Sequence, residues 1–158
     1  MMQPNKNEED KPKMKRLNVV SLKIIREKSF PYETNVIRKP EDVYRLAKEF
    51  IGQSDREHCC LLTLDSKNKI TSIHTIAIGS LNSAIVHPRE VFKIAILHNS
   101  ASVILFHNHP SSDPTPSPED IAITERIRDA GILLGIELLD SIIVGEYNHY
   151  SLKEKGLM

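Results

Sequence analysis

Neither charge is in excess in this chain: lysine plus arginine and aspartate plus glutamate number 21 each. A chain without a net field has no global attraction to nucleic acid or to an anionic membrane surface. Long apolar runs are also missing, the longest being strand-sized, and the first residues are polar and charged. No transmembrane helix and no secretory leader are therefore expected. Cysteine is confined to the neighbours Cys59 and Cys60. Adjacent side chains on a strand point to opposite faces, which makes a bond between them geometrically poor. That usage suits a reducing, cytosolic setting. No internal repeat is visible, and the only biased segment is at the start. What remains is the composition of one globular domain, 40% hydrophobic and 27% charged over 158 residues, enough to bury a real core.

Residues 1–16 carry Asn, Lys, Glu, Asp and Pro with almost nothing apolar, the composition of a solvated, disordered tail. A single domain is expected over 17–158. Within it, Leu17 to Ile25 has strand character, and Pro40 to Ile51 has apolar positions at helical spacing closed by Gly52. His58–Leu64 and Ile70–Ile78 are β-branched-rich runs separated by the polar cluster Asp65-Ser66-Lys67-Asn68-Lys69, which predicts an antiparallel hairpin. Pro88 to Leu97 reads as a helix, followed by a strand ending at Phe106. A second amphipathic helix is predicted from Ser117 to Ala130, stopped by Gly131. Ile136 to Val144 and Tyr150 to Leu152 read as a strand and a short edge strand.

The chemistry concentrates in Phe106-His107-Asn108-His109-Pro110-Ser111-Ser112-Asp113-Pro114-Thr115-Pro116-Ser117-Pro118-Glu119-Asp120. Side chains two apart on an extended chain point the same way, so His107 and His109 can converge on one ion. Ser117 is placed as an N-cap, with proline at the first helical position and an acid three residues after the cap. Asp120 then lies in the first helical turn, where a loop folded back over the strand end makes it a third ligand. Two imidazoles and a carboxylate leave a tetrahedral ion one open position for water, which is the catalytic arrangement. The letters His-Asn-His are not the HNH nuclease motif, whose residues are spread over a hairpin and a helix.

Water activated by an ion still needs a proton acceptor that does not ligate the metal. Glu57, at the start of the apolar run Cys59-Cys60-Leu61-Leu62, is the best placed carboxylate, although a solvent-facing acid at a strand end is equally ordinary. Ser117 has a similar double reading. An N-cap serine needs no further role, yet its hydroxyl beside a metal can donate to a developing oxyanion. Cys59 shares a strand face with Glu57 and reads as a small buried hydrophobe. His58, His74, His87, His98 and His149 have no such partners in sequence and read as surface, capping or packing residues.

These residues resemble the RadC-type branch of the JAB/MPN metalloprotease family, whose signature is a distant Glu, then His-x-His, then Ser and Asp at the spacing of Ser117 and Asp120. Similar neighbours are Leu64-Asp65-Ser66-Lys67-Asn68, Gly79-Ser80-Leu81-Asn82 and Val86-His87-Pro88-Arg89-Glu90. The likeness covers roughly Pro40 to Leu157. It implies an α/β chain of the JAB/MPN, cytidine-deaminase-like fold, with a curved and mostly antiparallel sheet flanked by helices. It also implies His107, His109 and Asp120 as ligands of one Zn2+ per chain, Glu57 as general base and Ser117 as oxyanion donor.

Two positions depart from the family pattern. Ser112 stands where glycine is common, and a turn needing positive φ would cost a serine about 1 kcal/mol. Asp140-Ser141 stands where Asp-His is common. The implied activity is hydrolysis of an amide, peptide or isopeptide bond in a peptide or protein substrate of unknown sequence, in a cytoplasmic, non-membrane protein of unassigned oligomeric state. Two rivals follow from the same family: a DNA repair-associated or nucleic-acid-processing factor, to which Lys13, Lys15 and Arg16 would contribute weak DNA binding, and a non-catalytic interaction domain.

Overall fold

The computed structural model describes residues 14–79 and 86–158. The expected tail falls mainly in 1–13, and Ser80-Leu81-Asn82 falls in 80–85; both lie outside the described residues. Three helices and five strands follow in the order α1 (Pro40–Ile51), β1 (Glu57–Leu64), β2 (Ile70–Gly79), α2 (Pro88–Leu97), β3 (Ser102–Asn108), α3 (Pro118–Leu134), β4 (Glu137–Val144) and β5 (His149–Ser151). The strands form one sheet ordered β2-β1-β3-β4-β5. All pairings are antiparallel except β3 with β4, the two strands joined through α3. The architecture is the mixed α/β arrangement anticipated from sequence.

The strand alternation of period two divides the core between two sheet faces. On one face Cys60, Leu62, Leu64, Ile104, Phe106 and Ile142 pack with Val43, Leu46 and Ala47 of α1. On the other, Cys59, Leu61, Val103 and Leu105 pack with Val91, Phe92 and Ala95 of α2 and Ile123 and Ile127 of α3. Adjacent residues therefore serve different layers. Phe106 is buried toward α1, and its neighbour His107 emerges toward α3.

Local chemistry explains the element boundaries. The Asp42 carboxylate accepts from the amides of Arg38 and Lys39, at 2.9 and 3.1 Å, and fixes the start of α1. In the β1–β2 turn, Asp65 accepts from the amides of Lys67 and Lys69 at 2.8 and 2.9 Å, while Asn68 adopts φ 57°. Those bonds make the polar cluster a hairpin turn. The His87 ring accepts from Arg89 N and caps α2, which fulfils the capping role read for one of the spare histidines.

Three sequence-based expectations differ from the structure. Leu17–Ile25 forms no strand, and its aliphatic side chains are largely exposed. Strand propensity becomes a strand only where a partner edge supplies hydrogen bonds. Among the described residues the chain N-terminal to α1 offers one isolated bridge, Val36 with Lys69. β3 continues past Phe106 to Asn108 because β4 pairs with it through His107 and Asn108. α3 does not stop at Gly131; it runs to Leu134 and ends on Gly135 at φ 70°.

Gly131 instead solves a packing problem inside α3. A Cβ there would collide with the carbonyl oxygen of Ile136 and come within 3.2 Å of the Phe92 ring. Gly131→Ala should lower stability by about 1–3 kcal/mol through overpacking, despite the roughly 1 kcal/mol helix-propensity advantage of alanine. Denaturant unfolding of the two proteins checks this, and a more stable alanine variant would contradict it.

Candidate metal centre

β3 lies at the middle of the sheet, hydrogen-bonded to β1 on one side and β4 on the other. His107 pairs with Cys59 and with Ile143 and is buried. One residue beyond the strand, His109 N donates to Val144 O at 3.1 Å, which keeps the backbone extended through the pair. The two rings consequently leave the same face, with Nε2 atoms 3.1 Å apart.

The chain then turns back. Ser112 N donates to His109 O at 2.9 Å, and Ser112 adopts φ 70°. The position that wants glycine is thus occupied by serine in the left-handed conformation anticipated for it. Its hydroxyl donates to Glu146 Oε2 at 3.1 Å. Next, the Asp113 carbonyl accepts from His109 Nδ1 at 2.7 Å. A carbonyl only accepts, so Nδ1 carries the proton and Nε2 keeps its lone pair for an ion.

α3 supplies the carboxylate. Ser117 Oγ accepts from Asp120 N at 3.1 Å, while Ser117 N donates to Asp120 Oδ2 at 2.8 Å. This reciprocal cap locks the first turn. Asp120 Oδ1 stands 3.3 Å from His107 Nε2, and Oδ2 stands 3.4 Å from His109 Nε2. The side chains of His107, His109 and Asp120 are the group of potential metal ligands found among the described residues. Donor atoms about 2.0–2.1 Å from a tetrahedral ion lie roughly 3.3 Å apart. The two Nε2 atoms, 3.1 Å apart, and the His107 Nε2–Asp120 Oδ1 pair, at 3.3 Å, are near that edge length, and one donor atom from each of the three residues lies within 4.8 Å of the others, so the residues suit a metal ion.

The three side chains are electrostatically coupled. Burial works to raise the Asp120 carboxyl, yet hydrogen bonds from His107 and His109 outweigh it and hold the group well below the carboxylate range. His109 is raised, first by Asp120, against burial, with smaller contributions from the Asp113 carbonyl and the Glu57 charge. The nearby thiol is no nucleophile. Burial, then the charges of Cys60, Asp120 and Glu57, push the Cys59 thiol upward, and a reactive cysteine needs the opposite shift.

Glu57 opens β1 two residues before Cys59, the cross-strand partner of His107. Alternation therefore directs its side chain to the ligand face. Its charge is felt at His109 and Cys59. His109 also borders a cleft of about 330 Å³ whose lining includes Lys48, Asn108, Pro110, Ser112 and Glu146. Ser141, where the family pattern has histidine, is buried and accepts from Thr124 Oγ1 at 3.0 Å, joining β4 to α3. His74 and His98 meet at 2.9 Å on the same sheet face, away from the triad.

Sequence reasoning overlooked Asn108. Its Oδ1 accepts from His58 N at 2.7 Å, and its Nδ2 donates to Arg56 O at 2.9 Å. An amide side chain caught between two ligands was the available signal.

A family model described as the RadC-like JAB domain matches residues 37–157. This chain belongs to that family. It is 53% identical over 131 residues to a UPF0758 protein of Desulforamulus reducens, covering 82% of this chain and 58% of the relative. A UPF0758 protein of Shouchella clausii is 56% identical over 121 residues, covering 77% and 53%. One from Desulfitobacterium hafniense is 50% identical over 130 residues, covering 82% and 57%. The chain thus spans just over half the length of the curated relatives it matches. No helix among the described residues is long and apolar enough to cross a membrane.

The geometry predicts about one zinc per purified chain, lost on His107→Ala or His109→Ala. Elemental analysis checks this, and unchanged zinc in both variants would contradict it. Chelation should lower the melting temperature, because an ion that binds only the folded state at a hundred times its Kd adds about 2.7 kcal/mol. Identical melts with and without chelator would mean that the site contributes nothing.

Proposed function

We propose that the domain is a zinc-dependent hydrolase of an amide bond, in a peptide or isopeptide linkage. The observation that carries this reading is the His107, His109 and Asp120 triad, one donor atom from each lying within 4.8 Å of the others, with His109 also bordering a cleft. Two imidazole nitrogens and one carboxylate oxygen favour zinc over magnesium or calcium, which take oxygen donors. When bound, zinc supplies Lewis-acid polarisation of a carbonyl and a lowered pKa for water.

The chain's own residues supply the rest. His107 and His109 offer Nε2. Asp120 offers Oδ1, while its Oδ2 is held by Ser117 N. Glu57 accepts a proton from the attacking water and returns it to the leaving amine. Ser117 Oγ accepts from Asp120 N, and that bond leaves its hydroxyl proton to donate where negative charge develops on the substrate oxygen.

Glu57→Gln should keep zinc and thermal stability but lose hydrolysis by about a hundred- to ten-thousandfold. Gln retains shape and hydrogen bonding and removes proton uptake. The measurement is elemental analysis beside mass-spectrometric screening of peptide libraries containing main-chain and lysine-linked amides. Full activity in the Gln variant would overturn the reading. Ser117→Ala should behave differently, costing both rate and about 1 kcal/mol of stability because the helix cap goes with it.

A nucleic-acid role has less support, since the chain carries 21 basic and 21 acidic residues. DNA binding should be weak and fall steeply between low and moderate salt, because affinity resting on a few tail lysines is lost as counterions compete. Removal of residues before Leu17 should abolish most of it. Tight, salt-tolerant binding by the truncated chain, read by fluorescence anisotropy, would promote the nucleic-acid reading instead.

A further inference from the structure

The β1–β3 ladder is paired as far as Cys59 with His107. Beyond that point the carboxamide of Asn108 takes over, accepting from His58 N at 2.7 Å and donating to Arg56 O at 2.9 Å. Arg56 O belongs to the peptide group before Glu57, and His58 N to the one after it. One planar side chain thus grips both peptide groups that set φ and ψ of Glu57. The other edge of Glu57 is the last described pair of the β1–β2 ladder, with Gly79, a residue at φ 126°.

We infer that Asn108 is a positioning residue: its carboxamide fixes the backbone on both sides of Glu57 and so directs the Glu57 carboxylate to the sheet face that carries His107 and His109. The inference rests on Glu57 as proton acceptor. Asn108 cannot join its neighbours on the ion, because consecutive strand residues leave opposite faces. The chain instead uses that side chain to tie the base to the ligand strand. Only an amide serves both partners at once, since a carboxylate has no proton for Arg56 O and a hydroxyl is too short to span the two. The same stretch of chain also receives support from Ser54, whose hydroxyl accepts from Arg56 N at 3.2 Å and meets the His58 ring at 2.9 Å. Those contacts hold the approach to β1, and Asn108 holds its orientation to the metal strand.

Two measurements on the zinc-loaded full chain test this. Amide hydrogen exchange by NMR should show His58 N–H exchanging about tenfold faster or more in Asn108→Ala, as expected for loss of a hydrogen bond, with Leu61 and Leu105 still protected. Asn108→Asp keeps an acceptor for His58 and should preserve much of that protection, so it serves if the Ala variant folds poorly. Unchanged His58 protection in Asn108→Ala overturns the proposal. The second measurement is calorimetric titration with acetohydroxamate, a zinc-chelating acid whose proton Glu57 would receive. Glu57→Gln and Asn108→Ala should each weaken it about tenfold at unchanged zinc content, and the double variant should bind no more weakly than Glu57→Gln. Additive losses would show that Asn108 acts by another route and would sink the proposal alone. No loss in Glu57→Gln would instead sink Glu57 as proton acceptor, and the positioning role with it.

Discussion

The carboxylate of Asp120 is the contact on which the site depends. It is buried at the first turn of α3, where a bare charge would be expensive. Three features offset that cost. Ser117 N donates to Oδ2, the helix N-terminus presents a partial positive charge, and the two imidazoles stand 3.3 and 3.4 Å away. Each of these serves folding and chemistry together. The cap that starts the helix engages Oδ2 and leaves Oδ1 toward His107.

Topology explains why the imidazoles can wait opposite that carboxylate. β3 has an antiparallel neighbour in β1 and a parallel neighbour in β4. The chain that leaves its end must cross back through α3 to reach β4, so the N-terminus of α3 returns to the sheet near the end of β3. His107 gains rigidity from ladders on both sides, and His109 from its bond to Val144 O. The turn between them and α3 is held by Ser112 against Glu146 and by His109 against Asp113. Gly145 completes the fit, because a Cβ there would lie 2.6 Å from the Ser112 carbonyl oxygen.

Much of this was legible in sequence because its rules are local. Strand alternation put His107 and His109 on one face, and the Ser-Pro-Glu-Asp order gave the cap that positions Asp120. The β1–β2 turn could be read from Asp65 and Asn68, whose side-chain bond and positive φ are local properties. Non-local facts were not legible. Leu17–Ile25 has the residues of a strand, but strand formation depends on a free edge at the right place. Gly131 looked like a helix stop because glycine often ends helices. The returning backbone at Ile136 gives it a different purpose. The placement of Glu57 on the ligand face depends on the register of Cys59 with His107, which no local pattern encodes.

The choice between a catalytic and a structural ion turns on the number of protein donors. A structural zinc is closed by four of them, whereas a catalytic one keeps a position for water. Among the described residues the group contains three donors, and Cys59, though on the same face and across from His107, is not a member. His109 also borders a cleft. An open coordination position activates water only when a nearby group can take its proton. On the proposed function that requirement falls on Glu57, the first position of β1. The side chain that ties this position to the metal strand is Asn108, the residue between the two histidines. The His-Asn-His sequence thus joins two imidazoles on one face to a backbone clamp on the other. On the proposed function, two of the three candidate ligands and the clamp beside the candidate base are thus consecutive residues of one strand end.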